Sequence, residues 1–247
     1  MQPNIVKEDI IYGDSPKLHG LIAYDPTKKE KVPGVIVVHE GFGQGDYSKN
    51  RAVQLAELGY VGFAADMYGE GKNCCTIEEV MTCVADCLKS FDTYVERFKL
   101  AVETIKKNEH CDPNNIAAIG YCYGGFIVLN VIKVGVELKG VASFHGQLKP
   151  IVKAEKGKVK AKALVCNGEA DPAFPKELIE AFKKEFDDAE IDYKFINYPD
   201  AKHSFTNPEA DEVAERLKMT EVAGYNEKAD RESWLELQNF LKDIFKN

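Results

Sequence analysis

The chain has 247 residues and is about 45% apolar, enough to bury one sizeable core, so a single domain spanning 1–247 is expected. Its formal net charge of −8 at pH 7 excludes a phosphate-backbone ligand, because nucleic-acid affinity comes from clustered Lys and Arg. Here lysines alternate with acidic residues, as in Lys28-Lys29-Glu30-Lys31, and no apolar run approaches membrane-spanning length.

At the start, Met1 to Asp9 lack a charged segment followed by an apolar one, so no leader is expected. Two alternating stretches, Ile5 to Tyr12 and Leu18 to Tyr24, flank the turn residues Gly13-Asp14-Ser15-Pro16 and predict an antiparallel hairpin at a sheet edge. Short continuous apolar runs follow at Gly34–His39, Tyr60–Ala65, Asn115–Tyr121, Gly140–His145, Ala163–Asn167 and Asp192–Tyr198. Such runs fit strands buried on both faces, and their alternation with helical segments predicts a mostly parallel sheet of about eight strands in an α/β fold.

The helices announce themselves between the strands. A segment from Ser48 to Leu58 stops at Gly59, where a left-handed terminal residue is needed. Thr76-Ile77-Glu78-Glu79 has the spacing of a capping box. Phe91, Tyr94, Val95, Phe98, Ala101, Val102 and Ile105 form one apolar stripe at helical period. Asp112-Pro113-Asn114 reads as a turn into the next strand. The seven cysteines show neither CxxC nor a Cys/His metal spacing, which points to a reduced, cytoplasmic setting and no metal. Among them, Cys83 and Cys87 sit one turn apart on an amphipathic helix, Cys166 lies in a strand, and Cys74 and Cys75 occupy a loop where redox chemistry is the alternative to inert packing.

One cysteine has a different setting. The run ending at Tyr121 continues as Gly120-Tyr121-Cys122-Tyr123-Gly124-Gly125 and then as the apolar helix Phe126 to Val134, the strand–turn–helix context of a nucleophile elbow with Cys in place of Ser. The flanking glycines leave room for a tight turn that lifts the Cys122 sulfur clear of the sheet, at a helix N-terminus that favours the thiolate. An elbow thiol needs an acid and then a base on the following strand-end loops. Asp171 follows the run ending at Asn167, with Glu169 and Asp200 as competing carboxylates, and His203 follows the run ending at Tyr198.

These residues resemble the dienelactone hydrolase family of α/β-hydrolases over nearly the whole chain. The likeness is carried by Val37-Val38-His39-Glu40-Gly41-Phe42-Gly43, Ala65-Asp66-Met67-Tyr68-Gly69, the Cys122 elbow, Gly168 to Asp171, and His203-Ser204-Phe205. The resemblance implies a small-molecule carboxylic ester or lactone hydrolase with no cofactor, as a monomer or homodimer, working through Cys122, His203 and Asp171 by way of a thioester. It implies that Glu40 stands guard beside the thiol, and that the backbone N–H groups of Gly41 and Tyr123 form the oxyanion hole. Phe42, Tyr68 and His145 stand at strand ends, where pocket lining and ordinary packing are the two readings, and Asn207 joins them as a substrate-binding candidate. Two arginines that hold the dienelactone carboxylate in family members are missing: those neighbourhoods contain Glu70 and Asn207, with Lys72 close by.

Two other readings compete. Gly41-Phe42-Gly43-Gln44-Gly45-Asp46 with Asp66 outlines a dinucleotide site, but Asp46 occupies the third glycine and would repel a pyrophosphate. The other is a non-catalytic relative that binds a small molecule or a protein; the retention of nucleophile, acid, base and oxyanion loop weighs against it.

Overall fold

A computed structural model describes residues 4–246. The reading of Met1 to Pro3 as free of a leader therefore lies outside the described residues. The chain packs as two compact units, divided between Ile119 and Gly120.

In the first unit, β1 (Val6–Tyr12) and β2 (Leu18–Tyr24) form the expected antiparallel hairpin, in register from Val6 opposite Tyr24 to Tyr12 opposite Leu18. β2 continues antiparallel to β4 (Val61–Ala65), and β4 pairs parallel with β3 (Val32–Val38). Helix α1 (Asp46–Glu57) follows β3 and ends as expected at Gly59, whose φ is +93°. Next come α2 (Ile77–Lys89) and α3 (Phe91–Lys106). A Cβ on Gly62 of β4 would clash with the Ala52 backbone of α1, and one on Gly34 of β3 with Ile105 of α3. Gly34 pairs with Val61, so Gly34 and Gly62 point to opposite faces, which places α1 and α3 on the two sides of the sheet. All seven residues of the α3 stripe are buried, each large side chain contributing about 1.5–3 kcal/mol before entropy is charged against it.

Strand β5 (Cys111–Tyr121) begins four residues earlier than its apolar run and includes Asp112-Pro113-Asn114. The expected turn survives as an Asx pattern inside the strand, with the Asn114 N–H donating to Asp112 Oδ1 at 3.0 Å. From β5 the chain enters the second unit through α4 (Tyr123–Val131) and a 3₁₀ turn at Ile132–Val134. Here β6 (Gly140–Phe144), β7 (Lys162–Gly168) and β8 (Tyr193–Tyr198) pair in parallel. Helices α5 (Lys176–Asp188), α6 (Ala210–Leu217) and α7 (Glu227–Ile244) complete the unit. α4 and α7 cover opposite faces of β6: Gly125 of α4 abuts Ser143, while Gly140 abuts Phe240 and Ile244. β8 departs from the expected full burial, since several of its side chains are exposed or half-exposed, as suits the outermost strand of the order.

The described residues thus hold eight strands and seven α-helices, with an antiparallel start and parallel pairing thereafter, which is the α/β-hydrolase fold. Among them, no helix is long and apolar enough to cross a membrane.

Candidate active site

Cys122 caps the N-terminus of α4 with φ +51° and ψ −111°, a backbone conformation that side-chain-bearing residues rarely adopt. The local sequence permits it. A Cβ on Gly120 would come within 2.1 Å of the Gly124 carbonyl oxygen, and one on Gly125 within 2.6 Å of Ser143 Oγ. Only glycine lets β5 turn this sharply into α4. The Cys122 N–H is shared between the Phe144 carbonyl at 2.9 Å and His145 Nδ1 at 3.1 Å, so the end of β6 braces the bend.

The loops after β7 and β8 are knit together by backbone bonds, Glu169 N–H to the Tyr198 carbonyl at 2.9 Å and Ala170 N–H to the Ala201 carbonyl at 3.0 Å. His203 is fixed in its loop by bonds of 3.0 Å to the Val222 carbonyl and from the Gly224 N–H. Its ring spans the gap between acid and sulfur: Nδ1–H donates to Asp171 Oδ2 at 2.6 Å, and Nε2 lies 3.0 Å from Cys122 Sγ. Asp171 Oδ1 accepts from the Ala173 N–H at 2.9 Å, which pins the carboxylate. The Asp171 side chain is fully buried and that of His203 is 21% exposed. Glu169 and Asp200, the competing carboxylates, are exposed.

Burial alone would lower the pKa of His203, but the sulfur of Cys122 and the carboxylate of Asp171 outweigh it and hold that pKa well above the ordinary imidazole value.

His145, expected to line a pocket, is fully buried with φ +41°. Its Nδ1 accepts from the Cys122 N–H, so the proton sits on Nε2, which donates to Thr206 Oγ1 at 2.8 Å. The ring therefore ties the elbow to the loop three residues beyond His203, and its nitrogens are committed. Asn207 is likewise used in its own loop, where its Oδ1 accepts from the Glu209 N–H at 3.0 Å. Tyr123 is buried in the first turn of α4, where helix amides point outward from the N-terminus.

The remaining expected residues belong to the first unit. Glu40 is 9% exposed, and its carbonyl accepts from His39 Nδ1 at 2.6 Å and from the Gly43 N–H at 3.1 Å. Burial lowers the pKa of His39 and keeps it neutral, which suits its Nε2 as acceptor for the Met67 N–H at 3.2 Å. Tyr68 turns its hydroxyl onto the Gly41 carbonyl at 2.9 Å, so it positions that peptide as well as lying at a strand end. Phe42 is half-buried, and its carbonyl accepts from the Cys74 N–H at 2.7 Å. Arg97 was not expected to matter, yet it reaches from α3 to the Met67 and Tyr68 carbonyls at 2.7 and 2.8 Å. A lone guanidinium beside the α3 stripe was the one available signal.

Asp66 removes the dinucleotide reading. Its carboxylate accepts from the N–H groups of His19, Tyr68, Gly69 and Gly71 at 2.8–3.1 Å, leaving no role on a ribose. Gly43 has a packing reason as well, since a Cβ there would lie 2.3 Å from the Lys72 carbonyl oxygen.

Comparison with known proteins follows the same line. The dienelactone hydrolase family model matches residues 19–245. The solved structure m3DLH is 30% identical with a TM-score of 0.91, covering 98% of this chain and 99% of that one. The dienelactone hydrolase-like promiscuous phosphotriesterase P91 from metagenomic libraries is 27% identical with a TM-score of 0.88, over 98% of this chain and 99% of its own. The uncharacterized protein K02A2.1 of Caenorhabditis elegans is 30% identical over 151 residues, 60% of this chain and 92% of that protein.

Proposed function

The chain belongs to the dienelactone hydrolase family, and from that premise we propose that it hydrolyses a carboxylic ester or lactone of a small molecule with Cys122 as the nucleophile. The observation that carries this reading is the single imidazole of His203 placed 3.0 Å from Cys122 Sγ and 2.6 Å from Asp171 Oδ2.

In this mechanism His203 takes the thiol proton and the Cys122 sulfur attacks the acyl carbon. The carbonyl oxygen becomes an oxyanion, stabilised by the outward-pointing Tyr123 amide at the head of α4. The family resemblance assigns the second amide to Gly41 and the guarding carboxylate to Glu40. Collapse expels the alkoxide, which leaves with the proton held on His203 Nε2, and a thioester remains on Cys122. Water then attacks that thioester while His203 accepts its proton, and the second collapse releases the acid and restores the thiol. Asp171 stays ionised throughout and keeps Nδ1 protonated, so that Nε2 faces the sulfur in the correct tautomer.

The acyl group is neutral in this reading, because Glu70 and Asn207 stand where two arginines would hold a carboxylate. Glu70 Oε1 is itself occupied by the Lys17 N–H at 3.0 Å.

Incubation with a panel of aryl esters and lactones, followed by mass spectrometry of the quenched protein, should trap an acyl group on Cys122. Alkylation of Cys122 with iodoacetamide should stop turnover; ester turnover that survives complete alkylation would sink the proposal. Because P91 is named for phosphotriesters, an aryl phosphotriester belongs in the same panel as a measure of substrate breadth.

A further inference from the structure

A second sulfur group lies in the first unit. Cys74, in the loop after β4, and Cys83, on α2, bring their sulfur atoms to 3.6 Å, and both are buried, at 6% and 4% exposure. The two buried residues of α2 are Cys83 and Cys87, so the inward face of this helix is built of thiols. Packing alone would be served as well by valine or leucine, which bury more apolar area.

The surroundings differentiate the two sulfurs. Lys72 lies beside Cys83, and that proximity raises the pKa of the lysine; a cation next to a sulfur is the setting in which a thiol reacts with oxidants. Cys74 rests as a thiol, its pKa pushed up to about 11 by burial and by its bond with Cys83. One sulfur is equipped to react first and the other to resolve.

We propose that Cys74 and Cys83 are a reversible redox modification site, a dithiol that a small peroxide converts to a disulfide and a reducing dithiol restores. The Cys83 thiolate attacks one peroxide oxygen; the O–O bond breaks, the sulfur becomes a sulfenic acid, and the departing oxygen regains the proton that Cys83 had released. The Cys74 sulfur then attacks the sulfenic sulfur; the S–O bond breaks, and hydroxide leaves with the Cys74 proton as water. Two thiols and one peroxide thus give one disulfide, one alcohol or water, and one further water. Closing the gap needs a movement of about 1.5 Å to reach a bond of about 2 Å, and the exposed residues Lys72, Asn73 and Cys75 give the loop room to move.

The link would be felt at the loop after β3. A Cβ on Gly41 would sit 2.8 Å from Val80 Cγ1, one turn before Cys83, and the Cys74 N–H holds the Phe42 carbonyl. A covalent tie between loop and helix therefore restrains the Gly41–Gly43 backbone from two sides.

Full-length protein is treated with equimolar hydrogen peroxide, its remaining thiols are blocked with iodoacetamide, and the chain is cleaved after glutamate. Cleavage at Glu78 or Glu79 separates Cys74 and Cys75 from Cys83 and Cys87, so the disulfide appears as two joined peptides two hydrogens lighter than their sum, released by dithiothreitol. The Cys74–Cys83 link is expected in the wild type, in exposed-site Cys75→Ser and in Cys122→Ser, and slower amide exchange across Gly41–Gly45 accompanies it. Both cysteines recovered fully alkylated, or a link running through Cys75 or Cys87, would overturn the proposal. Unchanged exchange across Gly41–Gly45 in the linked protein would overturn the coupling to that loop.

Discussion

The elbow of the second unit and the inner face of α2 in the first unit both hold buried or half-buried sulfur among polar neighbours, and they differ in what faces it. At the elbow, a cysteine forced to φ +51° looks at an imidazole whose far nitrogen is fixed by a buried carboxylate. Beneath α2, a thiol in a relaxed helix looks at another thiol with an ammonium close by. Cys166 of β7 provides the baseline: fully buried, its pKa pushed up to about 12 by desolvation, it has neither arrangement. The difference teaches that a proton acceptor with a fixed tautomer equips sulfur to attack carbonyl carbon, whereas a second sulfur within reach equips it to store two oxidising equivalents.

The contrast breaks most sharply at Cys122. Cys122→Ala should lower ester kcat/KM by roughly 10⁴-fold or more, and Cys122→Ser should recover little of it, because a hydroxyl ionises far less readily. A serine variant with wild-type rates would erase the distinction between thiol activation and mere placement.

Asp171→Asn tests the fixed tautomer. It should cost about 10³–10⁴-fold in kcat with the fold intact by circular dichroism, since an amide can present its N–H to Nδ1 and turn the wrong nitrogen toward sulfur.

Acidity sharpens the same point. His203 binds its proton more tightly folded than unfolded, so its stabilisation is complete below the unfolded value of about 6.5 and is lost as pH rises through the raised folded value. Wild type should therefore lose its stability advantage over His203→Gln on the alkaline side, measured as the difference in urea midpoints against pH. An advantage that grew with pH would contradict the ion pair.

A smaller effect is expected at His145. His145→Asn keeps an acceptor near the Cys122 N–H and tolerates φ +41°, but loses the reach to Thr206. One hydrogen bond corresponds to about 1 kcal/mol, so kcat should fall about tenfold or less with KM unmoved; a shift confined to KM would mean that the ring contacts substrate. Least of all, Cys75→Ser should leave ester turnover unchanged in steady-state assays.

Much of this was legible in the chain. The strand runs, the Thr76–Glu79 capping box and the α3 stripe are local patterns, and the helix dictated by each appears within a few residues of its expected bounds. Cys122, Asp171 and His203 were readable because glycine spacing and the order of strand-end loops are one-dimensional signals of a three-dimensional meeting. What escaped notice depends on tertiary placement. His145 gave no sign that its nitrogens would be consumed by the Cys122 amide and Thr206, 61 residues from it. Arg97 carried no signal beyond its place beside the α3 stripe, and its carbonyl partners lie about thirty residues earlier. The meeting of Cys74 with Cys83 needed the path of the loop into α2, which no periodicity encodes.

The near-contact of Gly120 with Gly124 has a practical meaning for anyone wishing to recruit this scaffold to new acyl groups. Gly120, Gly125 and Gly146 have no space for even a methyl group, so diversity introduced there would be spent on unfolded protein. Phe174, whose ring stacks 6.4 Å from that of His203, is a better place to begin a library.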